Sequence, residues 1–166
     1  PMHLLFVHAD SFAFEWMSEG DPKATETEGR LSECVVVFAT VEADDTDRVV
    51  SAARAAVESV ADQLKTDRPA VYPTTHLSET AASAERAVDV LDTLESALAD
   101  DYEVLSVPRG WDKRVELVRK GHPHAVQSRR ITSDEPVDTA RDRDWRVLSP
   151  DGHIRPLSAE GAAVSQ

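Results

Sequence analysis

CVVVFATV at 34–41, TDRVVSAARAAVESVADQLKTDRP at 46–69 and AVY at 70–72 follow one another in the chain, and this succession decides the architecture. The first stretch is an unbroken β-branched run, the pattern of a strand buried on both faces. In the second, Thr46 stands as a cap with Asp47 in the first turn, and Val49 or Val50, Ala53, Val57, Val60 and Leu64 recur every three or four residues. That spacing gives an amphipathic helix ending before Pro69. Ala70–Tyr72 then reads as a short strand closed by Pro73. Strand, helix, strand at this spacing implies helices packed on a sheet.

Upstream, HLLFVH at 3–8 suits a buried strand, and SFAFEWM at 11–17 continues it after a bend. Residues 18–33, with Gly20, Pro22 and Gly29 among many Glu and Thr, read as a loop. Downstream, TTHLSETA at 74–81 is irregular, and Ser83 caps a second helix with Ala84, Ala87, Val88, Leu91, Leu94 and Leu98 on one stripe. Tyr102–Val107 is a further strand. Lys113–Arg119 and 124–131 are two more, with KGHP at 120–123 as a hairpin connection between them. Residues 132–144, rich in Asp, Glu, Arg and Pro, form a linker, and WRVLSPDGHIRPL at 145–157 holds a two-strand pattern around Pro150, Asp151 and Gly152. The expected fold is a two-layer α/β domain with a mixed sheet and two main helices.

The 166 residues suit one domain, and 41% apolar with 30% charged residues excludes a disordered or fibrous chain. No apolar run reaches the roughly 18 residues of a membrane span, and the chain does not open on a basic secretory leader. A soluble, cytoplasmic protein is expected, with no membrane partner. Cys34 stands alone, which excludes an internal disulfide and a cysteine-rich zinc site. Asp plus Glu number 31 against 18 Lys plus Arg, for a formal charge of −13, and only four of the basic residues are lysine. This is the surface expected of a protein adapted to high salt, where the Debye length shrinks to about 3 Å. Nucleic-acid binding there depends on shape, stacking and local contacts, so the negative charge does not exclude it.

Two segments carry candidate chemistry. YPTTHLSET at 72–80 sets His76 between a strand and a helix, where backbone N–H groups lack partners. The same residues would also serve a histidine that merely caps the helix or packs on Tyr72. RGWDKR at 109–114 offers close backbone approach at Gly110, a stacking face at Trp111 and a point charge at Lys113, the parts that hold a nucleotide beside an ester. A turn leading into a solvated edge strand accounts for them equally. His122 and His124, with His8, Cys34 or Asp10, lack the spacing of a zinc site. Ser78 near His76 sits in no nucleophile elbow, and the phosphate-cradling glycine motifs are absent. No metal and no cofactor is expected.

LLFVHADSFAFE, YPTTHLS with its helix, and PRGWDKRVELVRKGHPHAVQSR, in this order over residues 2 to about 131, resemble the archaeal N-terminal editing domain of threonyl-tRNA synthetase. DWRVLSPDGHIRPL resembles the connector into the synthetase body, and the lysine-poor composition suggests a haloarchaeal source. The resemblance divides the chain into an editing domain at 1–131, a linker at 132–144 and a connector at 145–166. It implies a fold similar to D-aminoacyl-tRNA deacylase and hydrolysis of seryl-tRNA(Thr), the partner being the tRNA 3′ end carrying serine. The rest of the synthetase chain is a further partner, and a homodimer is compatible with it.

By the same resemblance His76 falls on the active-site histidine and Lys113 on the functional lysine. Pro73, Thr74 and Thr75 fall on the strand end facing the seryl group, Ala87 on a small pocket residue, and Trp111 on an aromatic beside the lysine. Two positions depart from the pattern: Val126 replaces a glutamate and Asp112 a tyrosine. Asp112 would restore a carboxylate if it lay beside the partner strand of the hairpin. Two other readings remain open: a catalytically weakened RNA-binding or dimer-forming module, and a D-aminoacyl-tRNA deacylase proper.

Overall fold

The computed structural model describes residues 1–17, 28–109, 112–132, 146–148 and 154–156, the last two as backbone only. A six-stranded sheet is built from β1 (Met2–Trp16), β2 (Glu28–Thr40), β3 (Pro69–Pro73), β4 (Leu105–Ser106), β5 (Lys113–Arg119) and β6 (Val126–Ile131). α1 (Arg48–Leu64) and α2 (Ala84–Leu98) pack on one face. β7 (Arg146–Leu148) and β8 (Ile154–Pro156) pair only with each other among the described residues. The linker and the turn at 150–152 lie outside the described residues.

The βαβ reading holds. β2, β3 and β4 run parallel, with Val35 beside Pro69 and Ala70 beside Leu105. Val35, Val37 and Ala39 face the helices, while Cys34 and Val36 join a second buried cluster on the opposite face, as a strand buried on both sides requires. In α1 the buried positions are Val49, Val50, Ala53, Val57, Val60 and Ala61. Thr46 does not cap it: Asp47 occupies that position, without a side-chain cap. Ser83 does cap α2, accepting from the Arg86 N–H at 3.4 Å. Val88 leaves the expected stripe at 40% exposed, and Val90 is buried instead.

β2 begins at Glu28, inside the segment expected to be a loop, because β1 is one long strand that pairs it as far as Glu15–Glu28. Both strands change face at one place. Met2, Leu4 and Phe6 point to the helices, whereas Phe12 and Phe14 belong to the opposite cluster. In β2 the same change separates Val35 from Leu31. The extra residues are Asp10, where the β1–β5 register shifts, and Glu33, which lies opposite Asp10 and takes φ +47°. Lys120 bridges the two carboxylates, its Nζ bonded to Asp10 and lying 2.9 Å from Glu33. This paired bulge folds the outer half of the sheet over Phe12, Phe14 and Leu31.

The largest departure concerns β5 and β6, which do not form a hairpin. Both pair with β1 on the same edge, end to end: Ala9–Trp16 takes β5, and Met2–Val7 takes β6. Residues 120–125 step from one to the other, with the Lys120 N–H donating to His8 O and the His8 N–H to Ala125 O. The strand expected at Tyr102–Val107 is reduced to Leu105–Ser106, with Tyr102 and Val104 packed against the core.

Candidate active site

Pro73, Thr74, Thr75 and His76 follow the carboxyl end of β3, the usual place for ligands in open α/β sheets. β3 ends at Pro73, and the loop after it is fixed at both ends to the end of β2. The Thr74 N–H donates to Ala39 O at 2.9 Å, and Thr40 Oγ1 donates to Thr74 O at 2.6 Å. Further along, the Ala43 N–H meets Thr80 O and the Ala82 N–H meets Val41 O. Glu42 ties down the middle: its Oε1 accepts from Ser78 Oγ at 2.7 Å and lies 2.8 Å from His3 Nε2. The Ser78 bond, with help from the N-terminal ammonium and His3, holds the Glu42 carboxyl at about 2, far below the usual range.

This clamp decides which backbone groups a substrate can meet. Pro73 has no N–H, Thr74 spends its own on Ala39, and the His76 N–H is taken by Thr74 Oγ1 at 3.2 Å. Among the described residues the Thr75 N–H makes no hydrogen bond, and it alone of residues 73–76 remains to be donated. Thr75 and His76 are exposed, and Ala87 is buried in the first turn of α2, within the core cluster that also holds Ala82 and Val90.

Lys113 opens β5 opposite Trp16, and its Nζ lies 5.5 Å from the centroid of the Tyr72 ring, one residue before Pro73. Tyr72 is held in turn by Phe38 and Phe12, at centroid distances of 5.0 and 6.3 Å. Burial lowers the pKa of the ammonium, and the neighbouring Asp112 carboxylate opposes that shift. Asp112 is exposed, with its backbone O accepting from the Met17 N–H. The structure thus brings Lys113 to the strand end that carries Pro73, Thr74, Thr75 and His76. Gly110 and Trp111 lie outside the described residues.

Asp112 does not stand in for a carboxylate at position 126. Val126 pairs with Val7, whereas Asp112 meets Met17, ten residues further along β1 and about 30 Å of strand contour away. His8 Nδ1 and His122 Nε2 are 2.8 Å apart at the step between β5 and β6, a histidine pair away from the loop. Among the described residues no group of three or more His, Cys, Asp or Glu side chains is arranged to hold a metal ion. No helix among them is long and apolar enough to cross a membrane.

Sequence reasoning missed one feature, a cavity of about 200 Å³ between α2 and the ends of β3 and β4 that includes Pro73, Glu95, Ser106 and Arg109. Glu95 reads in sequence as a solvated helix charge. Its only signal is its place beside the buried Leu91, Leu94 and Leu98. A larger cavity of about 550 Å³, lined by charged groups such as Glu15, Arg30, Arg114 and Glu116, contains none of the expected site residues.

Residues 2–131 match the family described as the archaea-specific editing domain of threonyl-tRNA synthetase. The threonine–tRNA ligase of Methanopyrus kandleri is 38% identical over 94% of this chain and 26% of its own length. That of Methanocaldococcus jannaschii is 38% identical over 90% of this chain and 25% of its own, and that of Methanococcus maripaludis 36% over 86% and 24%. The chain spans about a quarter of the length of these curated relatives. Among solved structures the c-Myc DNA unwinding element binding protein is similar in fold, with a TM-score of 0.60 at 10% identity, over 77% of this chain and 97% of that one.

Proposed function

The chain belongs to the archaea-specific editing-domain family of threonyl-tRNA synthetase, and on that premise we propose that it removes serine from mischarged tRNA(Thr) by hydrolysing the aminoacyl ester. Serine is threonine without one methyl group, a difference worth only about 1–3 kcal/mol in a binding pocket, so a synthetic site needs a second sieve. Here the sieve is the end of β3, where the clamped loop and Ala87 admit a hydroxymethyl group and refuse its methylated homologue.

The observation that carries this reading is the Lys113 ammonium beside Tyr72, next to Pro73–His76. Water attacks the ester carbonyl, and the negative charge on the carbonyl oxygen is met by Lys113 and the Thr75 N–H. A partly desolvated cation stabilises a developing oxyanion more strongly than one in bulk water. The ribose 2′-hydroxyl positions the water, and His76 orients the substrate. Residues 1–131 form the editing domain, 132–144 a linker and 145–166 a connector toward the synthetase body; the partners are the tRNA 3′ end, the remainder of the synthetase and, at the level of assembly, a second copy.

Single-turnover deacylation of tRNA(Thr) carrying L-serine, D-serine or L-threonine, in molar salt, tests the reading. L-serine is released fastest and threonine is spared, and Lys113→Met lowers the serine rate about 10²-fold or more while leaving the melting curve unchanged. Serine release at the uncatalysed rate ends the proposal. Preference for D-serine selects the D-aminoacyl deacylase, and binding of the tRNA end without turnover selects the weakened binding module. Against that last reading, Val126 sits so far along β1 from Lys113 that a lost carboxylate there leaves the lysine's surroundings within the chain untouched.

A further inference from the structure

Tyr72 and Lys113 meet although the strand ladder sets them far apart. Tyr72 lies beside Phe38, which lies beside Leu5, whereas Lys113 lies beside Trp16, eleven residues further along β1. That is about 36 Å of strand contour, more than any lysine side chain spans in a flat sheet. The paired bulge at Asp10 and Glu33 removes the distance by turning the outer half of the sheet back over the inner half. Phe12, fully buried, comes to rest edge-on to the Tyr72 ring, at 6.3 Å and 78°. Phe38 holds the same ring from the neighbouring strand, at 5.0 Å and 44°. The Lys113 Nζ then lies over that ring, 5.5 Å from its centroid. The ring is a point at which the two halves of the folded sheet touch, and the ammonium is seated there.

We propose that Tyr72 is a positioning residue for the hydrolysis: its ring, fixed by Phe12 and Phe38, seats the Lys113 ammonium at the end of β3 and keeps it a cation there. The assignment rests on the deacylase reading, which gives that ammonium a developing oxyanion to meet. Two physical demands conflict at Lys113. Stabilising an oxyanion calls for a charge withdrawn from bulk water, yet withdrawal favours the neutral amine, and burial does lower the Lys113 pKa. The electron-rich face of a phenol ring offsets that loss, because it attracts a cation and does little for a neutral amine. The Asp112 carboxylate acts in the same sense. A ring, unlike a carboxylate in contact, carries no net charge, so the positive field remains available to the carbonyl oxygen. It also fixes the end of a flexible four-carbon stem that otherwise spreads its charge over many positions.

Single-turnover deacylation of seryl-tRNA(Thr) by a series of variants, read beside the proton spectrum of the same chains, tests the assignment. In the parent the ring current of Tyr72 moves the Lys113 ε-methylene resonance upfield of the ordinary lysine position; Tyr72→Phe keeps that displacement and Tyr72→Leu removes it. Tyr72→Phe retains the serine rate. Tyr72→Leu lowers it about tenfold at saturating enzyme, the scale of one partly desolvated cation–ring contact, with the half-saturating concentration unchanged and the fold intact by circular dichroism. In a Lys113→Met chain the further change Tyr72→Leu slows nothing more, because the ring acts only through the ammonium. An ordinary Lys113 resonance in the parent, a Tyr72→Phe chain slowed about tenfold, or a Tyr72→Leu loss that persists without the lysine each overturn the assignment; the first two decide even where the leucine chain does not fold. Serine release by the parent alongside any of these results leaves the deacylase standing and removes the positioning ring. A displaced Lys113 resonance in a parent that releases no serine fails the deacylase reading itself.

Discussion

Glu42 and Glu95 make the same bond and are driven in opposite directions. Each accepts from a serine hydroxyl at 2.7 Å, Glu42 from Ser78 and Glu95 from Ser106, and each lies near a strand of the parallel set. Glu42 is held at about 2 and Glu95 is pushed to about 7. The hydroxyl therefore does not set the charge. At Glu42 further donors converge, His3 and the N-terminal ammonium, while at Glu95 burial dominates and the Asp92 carboxylate lies close. Beyond β2 an ionised carboxylate fixes a loop. Beside the end of β4 a carboxyl group is kept near neutrality in a cavity, at a cost to stability, which is where a functional role is to be sought.

The sharpest way to break this contrast is to remove each carboxyl group in turn. Glu42→Leu leaves Ser78 and His3 without their acceptor, and a hydrogen bond to a charged group is worth about 1.5–3 kcal/mol. Urea unfolding at pH 7 then shows a loss of about 2 kcal/mol, and the proposed deacylation slows because the 74–82 loop is no longer fixed. Glu95→Gln has the opposite sign. A carboxyl raised to about 7 when folded and near 4.5 when unfolded keeps a proton that unfolding releases, so stability falls as the pH rises from 4.5 to 7 and stays low above it. The glutamine is expected to gain about 1 kcal/mol at pH 8, after allowance for its partial exposure, and nothing at pH 4.

Acid unfolding separates the two groups without mutation. Because the Glu42 value lies below 4.5, its contribution is complete above that pH and is lost as the pH falls toward 2. A Glu42→Gln chain loses that limb of the acid transition, and an unchanged limb overturns the assignment. The smallest effect comes from the serines. Ser78→Ala costs about 1 kcal/mol at pH 7, and Ser106→Ala less than about 0.5 kcal/mol, because a neutral carboxyl group loses less with its donor. Equal losses at the two positions would remove the distinction between them.

The parts legible in the sequence are those whose signals are local. CVVVFATV, the α1 periodicity and the Ser83 cap each carry their meaning within a few residues, and they give the layers and the parallel strands. The lysine and the YPTTHLS loop were readable by resemblance, and the structure sets Lys113 at Tyr72. Strand pairing is not local. Alternation over 113–131 announces two strands, but a shared β1 edge follows only from the register shift at Asp10, to which nothing in those residues points. Glu95 escaped for a related reason. Its hydroxyl partner is eleven residues away, and its burial depends on β4 closing over α2.

The bulge at Asp10 and Glu33 constrains how the chain can change in length. Deleting Asp10 alone would straighten β1 and keep Phe12 and Phe14 on the face of Val7 and Ala9, but Glu33 would then stand unopposed in β2 and Lys120 would keep a single carboxylate. Only removal of both residues restores an unbroken ladder, and it leaves Lys120 with nothing to bridge. Variation in this part of the molecule must therefore proceed in coupled steps, two strands and a distant lysine at a time, even where the individual side chains lie at the surface.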